Sequence, residues 1–369
     1  MKEEKEITIA IDRNVLCLPI FHSLARSRKE EPAAIEYKRV VTEPDGTKKE
    51  MSIKVLSAGK YGLLKGTDLK PFAYFLWKWH KAGEPDGEYK IFYTANDYFD
   101  TIREIKGKKK DKEKKHREVS AIHYKQFKEQ VMRLRLTGII IKNGYKTKDG
   151  HYISFEKPIN LLTDAEIFER VKDVKDKQQY FQFSYVVINP IITRAIKEKN
   201  IKLLRFDEIC KIRSEVALLL YNHLEVVMAD KKVYERDIVE LAEDVGMTEK
   251  EAKFIKRRLL KAIKELEGKE LTSGRIKKIE IVKSETASGW KIRVEKGKHI
   301  KDSEQQQQIE EREYWLNVYN NLSAEEKAEV DKYVDEQMKR FYELTGRDGG
   351  DIYRELVIIE YLKEKGGKK

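Results

Sequence analysis

Five basic side chains, Lys250, Lys253, Arg257, Lys261 and Lys264, recur every three to four residues within GMTEKEAKFIKRRLLKAIKEL, residues 246–266. At about 100° per residue this spacing gathers them into one stripe of a helix, with no acid among them. Ala252, Ile255, Leu259, Ile263 and Leu266 form a separate apolar stripe, and Glu249, Glu251 and Glu265 stay on the flanks. A helix decorated for solubility alternates its signs so that i,i+4 pairs form. A face of cations alone suits an anion. Lysine and arginine release counterions from phosphates, and arginine can also read a guanine edge with two hydrogen bonds. Arg258, beside Arg257, is a second candidate for such a base contact. The competing reading is a solvated, lysine-rich surface helix, which is common in chains this charged.

The neighbouring elements say how such a helix would be presented. FDEICKIRSEVALLLYNHLEVVMA (206–229) reads as one long buried helix, and VYERDIVELAEDVG as a strand running into a short helix that stops at Gly246. Thr248 and Glu251 have the spacing of a capping box for the basic helix. RIKKIEIVKSETASGWKIRVEKG (275–297) reads as two strands around a turn, with Arg275, Lys277 and Lys278 on the first. Helix, strand, short helix, turn, second helix and two-stranded wing is the order of a winged helix-turn-helix, whose second helix enters the major groove.

The first half shows the same order without sequence identity. LKPFAYFLWKWHKAG is a buried helix, EYKIFYT a strand, and Thr94 caps ANDYFDTIREI. VSAIHYKQFKEQVMRLRLTG turns Val119, Tyr124, Phe127, Val131 and Leu134 inward, and IIIKNGYKTKDGHYISF supplies two strands. The outward face of this second helix carries Ser120, Lys125, Lys128 and Arg135, but also Met132, which suits either a minor DNA contact or a dimer surface. The lysine run at 106–117 either tracks phosphates or is a solvated loop.

The expected class is therefore α+β: two winged helix-turn-helix domains in tandem plus a small C-terminal helical segment. The boundaries are an extension with a β-hairpin around Pro44-Asp45-Gly46 (1–59), a first module (60–160), a linker (161–180), a second module opening on the strand FQFSYVVI (181–297), a polar linker (298–311) and a helical tail (312–369).

Composition agrees with a polyanion partner. The net charge is +12 over 369 residues, and charged residues make up 38%. No apolar run approaches the 18 residues of a membrane span, and no secretory h-region follows the N-terminus, so a cytoplasmic protein is expected. Two cysteines, Cys17 and Cys210, cannot form a disulfide framework or a zinc cluster. No GxxxxGK[ST] motif and no His-x-His pair is present, so neither a P-loop ATPase nor a metal-dependent nickase is indicated, and no cofactor is expected. His223, Tyr221, Trp77 and Trp79 read as core residues, and Asp348 and Asp351 as a turn between helices.

Three stretches, RNVLCLPIFHSL, YGLLKGTDLKPFAYFLWKW and LLRFDEICKIRSEVALLLYNHLE, occur in an order that resembles the plasmid replication initiators built from two winged-helix domains. The resemblance covers roughly residues 14–297, with Leu220 and Tyr221 at the place of a leucine–tyrosine pair in that family. It implies binding to repeated origin sites in double-stranded DNA, dimers that repress and monomers that initiate, and recruitment of a host initiator or helicase. The lysine run and the helical tail lie outside that pattern. A transcriptional regulator shares all of this DNA chemistry, and a protein-interaction scaffold is the contrasting alternative.

Overall fold

A computed structural model of the chain describes residues 6–25, 31–106, 119–155, 157–167, 184–286, 288–299, 314–345 and 350–366. The lysine run at 106–117, apart from Lys106, and Asp348 lie outside the described residues. The chain is α+β and divides into two compact units, Met1–Gly297 and Lys298–Lys369. Among the described residues no helix is long and apolar enough to cross a membrane.

In the larger unit, β1 (Thr8–Asp12) pairs antiparallel with a strand 190 residues further on, and α1 (Arg13–Cys17) follows under an Asp12 cap. β2 (Ala34–Thr42) and β3 (Lys48–Leu56) form the hairpin expected around Pro44-Asp45-Gly46. Next come α2 (Leu69–Lys81), β4 (Lys90–Tyr93), α3 (Ala95–Ile105) and α4 (Ala121–Leu136). Leu69, Phe72, Phe75, Leu76 and Trp79 bury most of the circumference of α2. α3 starts where the side chains of Thr94 and Asp97 cap each other's backbone. Phe127 of α4 stacks on Tyr98 of α3 with ring centroids 4.4 Å apart.

The strands after α4 find partners that periodicity could not reveal. β5 (Ile139–Lys142) adds to the hairpin edge at β3, because its buried Ile139 and Ile141 face the same core as Ile53 and Val55. β6 (Tyr145–Lys146) and β7 (Tyr152–Ile153) make a small separate pair, so residues 139–155 are not one two-stranded wing. β8 (Leu162–Glu166) and β9 (Ser184–Ile188) join β4 in the order β4-β9-β8. Residues expected as a linker and as the opening of the second module thus complete the sheet of the first. Burial decides it: Val186 and Ile188 continue the apolar face of Ile91 and Tyr93.

The second half runs α5 (Pro190–Lys197), β10 (Ile201–Arg205), α6 (Phe206–Lys211), α7 (Glu215–Val227), β11 (Val233–Asp237), α8 (Ile238–Asp244), α9 (Ala252–Leu266), β12 (Glu270–Leu271), β13 (Gly274–Lys283) and β14 (Trp290–Gly297). Its sheet has the order β11-β14-β13-β12. The single long helix expected over 206–229 is broken at Ile212–Ser214. There the Glu265 carboxylate accepts the N–H groups of Arg213 (2.5 Å) and Ser214 (2.9 Å), and Ser214 caps α7. Tyr221 is core, as expected. Its hydroxyl donates to Glu225 (2.9 Å) and to the Glu270 carbonyl (2.6 Å), and Glu225 also accepts from the Thr272 N–H and hydroxyl.

Residues 22–25, just after Pro19, run extended between the two halves. His22 donates its N–H to the Leu64 carbonyl (2.9 Å) and accepts from the Gly66 N–H (3.1 Å). Ser23 does the same with the Gly246 carbonyl (3.0 Å) and the Thr248 N–H (3.1 Å). The Ser23 hydroxyl donates to half-buried Glu215 of α7 (2.7 Å).

In the smaller unit, residues 314–320 and the helices Ala324–Thr345 and Gly350–Gly366 pack around Val330, Val334, Val357, Ile358 and Leu362. Ser323 and Glu326 cap each other at the start of the first long helix.

Gly246 sits at φ +73°, and a Cβ there would overlap the carbonyl oxygen of Phe21. Gly46 has a similar φ of +86° with open space around it. Gly46→Ala should therefore show only the left-handed backbone cost of about 1–2 kcal/mol. Gly246→Ala should exceed it clearly in urea unfolding, and equal losses would mean that residues 21–23 do not press on this turn.

Candidate nucleic-acid interface

α9 separates its residues as the apolar period demands. Ile255, Leu259, Ala262, Ile263 and Leu266 are buried against the rest of the half, while Lys253, Arg257, Lys261 and Lys264 are exposed on the other side. None of Lys253, Lys261 and Lys264 is paired with a carboxylate among the described residues. Arg257 lies over the Phe254 ring, 5.4 Å from its centroid, with no carboxylate partner among the described residues. Lys250 is exposed as well, but in the turn before the helix rather than on it. Phe254 (39% exposed) and Leu260 (43%) share this face, which the sequence reading passed over.

Two candidates on this segment have other work. Arg258 donates to the Leu24 carbonyl (2.9 Å), to Glu249 and to the Ser23 hydroxyl, so its guanidinium is committed inside the protein. It follows Ile255 by three residues and so borders the apolar stripe, a signal legible in the sequence. Thr248 makes no capping box with Glu251. Its hydroxyl accepts the Ala25 N–H (2.7 Å), and α9 begins only at Ala252, with no side-chain cap.

The β13–β14 hairpin projects beside α9. Arg275, Lys277 and Lys278 are all exposed, but they sit at its base: Arg275 pairs with Gly297, whereas the tip follows the Lys283–Trp290 pair. Arg275 donates to the Gly268 carbonyl (3.2 Å), and Lys278 lies 2.8 Å from Glu280, which holds its ammonium above the usual range. Lys283, exposed at the tip side, is the cation that the sequence reading missed there. Lys256 of α9 stands over the Trp290 ring, 2.9 Å from its centroid.

On α4, Ser120 is the N-cap, with its hydroxyl accepting from His123 N–H (3.4 Å) and lying 3.0 Å from the His123 ring nitrogen. Lys125 is exposed and Lys128 half-buried. Met132 is half-buried, and the most exposed large apolar side chain of α4 is Ile122, 70% exposed. Arg135 pairs with Asp164 of β8 (3.4 Å). Arg133, not singled out before, is buried and grips Asp68 with two hydrogen bonds of 2.7 and 2.8 Å, fixing α4 to the start of α2.

Charge localises in the same way. Residues 298–369 hold 13 Lys and Arg against 17 Asp and Glu, so the positive surplus lies wholly within residues 1–297. Other chemistry is sparse. No three His, Cys, Asp or Glu side chains are grouped to hold a metal among the described residues. A cleft between α1, β2, α7 and β11 has a volume of about 480 Å³ and is lined in part by Cys17, Arg39 and His223. Burial raises the Cys17 thiol, so it is no ready nucleophile. The His223 ring is bonded to the Tyr234 hydroxyl (2.9 Å), and burial pulls its pKa down to about 4.

What these elements define is an α+β chain whose clearest surface feature is a basic helix face beside a projecting hairpin. No family model and no curated protein matches it. Two crystal structures of domains 2 and 3 of RctB are similar to it. One has a TM-score of 0.46 and 14% identity, the other 0.40 and 13%, and each match covers 75% of this chain and 95% of that one.

The two neighbouring arginines should behave oppositely when cut back. Arg258→Ala leaves Glu249 and Ser23 without their partner and should cost about 1.5–3 kcal/mol, the range for hydrogen bonds to charged groups. Arg257→Ala should stay within about 0.5 kcal/mol, as exposed surface changes do. Chemical denaturation of both variants checks the assignment, and a stable Arg258→Ala would contradict it.

Proposed function

We propose that the chain is a non-enzymatic, sequence-specific binder of double-stranded DNA, of the replication-initiator kind, built on two winged helix-turn-helix modules. In this reading α7, β11, α8, α9 and the β13–β14 hairpin are the second module, and α9 lies in the major groove. α2, β4, α3, α4 and the β8–β9 pair are the first. The observation that carries the proposal is the face of α9. Among the described residues Lys253, Lys261 and Lys264 have no acid partner. Elsewhere on the surface acids do pair with lysines, as in Lys49–Glu43 and Lys291–Glu235. Phe254 and Leu260 on the same face suit thymine methyl groups.

The protein would act by position. It binds repeats at an origin and leaves the chemistry of replication to a recruited host initiator or helicase. Ile122 favours a second reading for the first module, a contact with another copy of this chain rather than a second DNA contact. A transcriptional regulator would use the same face, and repeated sites beside the protein's own gene distinguish the initiator.

The decisive test is binding to DNA across a salt series. Each lost phosphate contact should lower the slope of log K against log salt by about 0.9. A Lys253/Arg257/Lys261 triple Ala variant should show a visibly shallower slope than wild type at unchanged stability. Equal slopes would reduce the stripe to a solvated surface and favour a protein scaffold.

A further inference from the structure

Asp237 divides its two carboxylate oxygens between two elements. Oδ1 caps α8 by accepting the N–H groups of Val239 (2.8 Å) and Glu240 (3.4 Å). Oδ2 accepts the hydroxyl (2.6 Å) and the N–H (3.3 Å) of Ser288, 51 residues along the chain in the turn between β13 and β14. The Ser288 hydroxyl in turn accepts the Trp290 N–H (3.2 Å). Trp290 is the residue whose ring lies under Lys256 of α9. The hairpin is thus held at its tip by the start of α8 and near its tip by α9. Burial works against ionisation of Asp237. The hydrogen bonds from Ser288, Thr286 and the Val239 backbone outweigh it and hold the carboxyl at about 2, so the tether is charged at any working pH.

We propose that Asp237 is a positioning residue that sets the β13–β14 hairpin at a fixed distance from α9, so that the hairpin tip meets the DNA backbone beside the groove that α9 occupies. This rests on the DNA-reading role assigned to α9 above. α8 is the common reference. Its first turn holds the hairpin through Asp237, and its last turn leads through Gly246 into the segment that starts α9. The body of the hairpin is fixed by the pairing of β14 with β11, and Asp237 at the end of β11 extends that hold to the tip. Nothing need be ordered when DNA arrives, which is where a mobile hairpin would lose affinity. The tip carries the exposed cation Lys283 and the hydroxyls of Ser284 and Thr286, with one exposed acid, Glu285. That set suits phosphate and sugar contacts, which position a protein without reading sequence.

Asparagine separates the two jobs. Asp237→Asn keeps a carbonyl oxygen that caps α8 as well as aspartate does. It places an NH2 group where Oδ2 received the two Ser288 donors. The probe is a duplex recovered by the wild-type chain from a random-sequence pool, read by hydroxyl-radical footprinting and by titration. Wild type should protect a central stretch and a flank. Asp237→Asn and Ser288→Ala should lose the flank protection, keep the central stretch and bind roughly tenfold more weakly, and Ser288→Thr should restore the flank. Footprints as wide as wild type, or protection lost evenly across the whole site, would overturn the positioning role while leaving DNA reading by α9 intact. Recovery of no duplex by the wild type would overturn DNA reading itself, and the inference with it.

Discussion

Four backbone hydrogen bonds on two adjacent residues tie one segment to both halves of the larger unit. His22 spends its N–H and C=O on Leu64 and Gly66 ahead of α2, and Ser23 spends its own on Gly246 and Thr248 ahead of α9. Both residues are fully buried, and buried backbone groups must be paired. The segment therefore cannot leave either half without stranding donors and acceptors, at about 1–3 kcal/mol for each group left unmade. The close approach also dictates small residues. Gly246 faces the Phe21 carbonyl, and a Cβ on Gly66 would press into the backbone and side chains of α7.

That constraint reaches the basic face. Arg258 leaves α9 on its inner flank and closes on Ser23, Leu24 and Glu249, so the orientation of the helix about its axis is fixed by the same segment that joins the halves. With the axis fixed, Lys253, Arg257, Lys261 and Lys264 have only solvent to face. The first half is held by analogous means, with Arg133 of α4 locked on fully buried Asp68. Each outer helix is thus anchored by one inward arginine, a side chain whose forked geometry suits a carboxylate held by two bonds. Removing a partner from such a site is costly, because the remaining charge has no water to turn to.

Much of this was legible locally. The basic stripe, the apolar stripe opposite it and the Thr94 cap all follow from spacing within one turn or one helix, where the physics is short-ranged. What was not legible depends on partners far along the chain. The halves of the sheet β4-β9-β8 lie some 70 to 95 residues apart, and alternation says that a strand is buried without saying against what. The break at Ile212–Ser214 is imposed by Glu265, about 50 residues away. Thr248 had the right spacing for a capping box and lost its hydroxyl to Ala25, 223 residues earlier. Nothing in the side-chain pattern of residues 14–25 marks the partners of His22 and Ser23, since backbone hydrogen bonds leave no trace there.

With these bonds in place, residues 22–23 should bind both halves into one cooperative body. Native-state hydrogen exchange of the full chain tests this directly, because it reports the opening free energy of individual amides. The amides of His22, Ser23, Gly66 and Thr248 should exchange only through the global opening that also exposes Val131 in α4 and Leu259 in α9. Near-unprotected exchange at those four amides, with Val131 and Leu259 still protected, would show two halves that fold and move independently and would contradict the account.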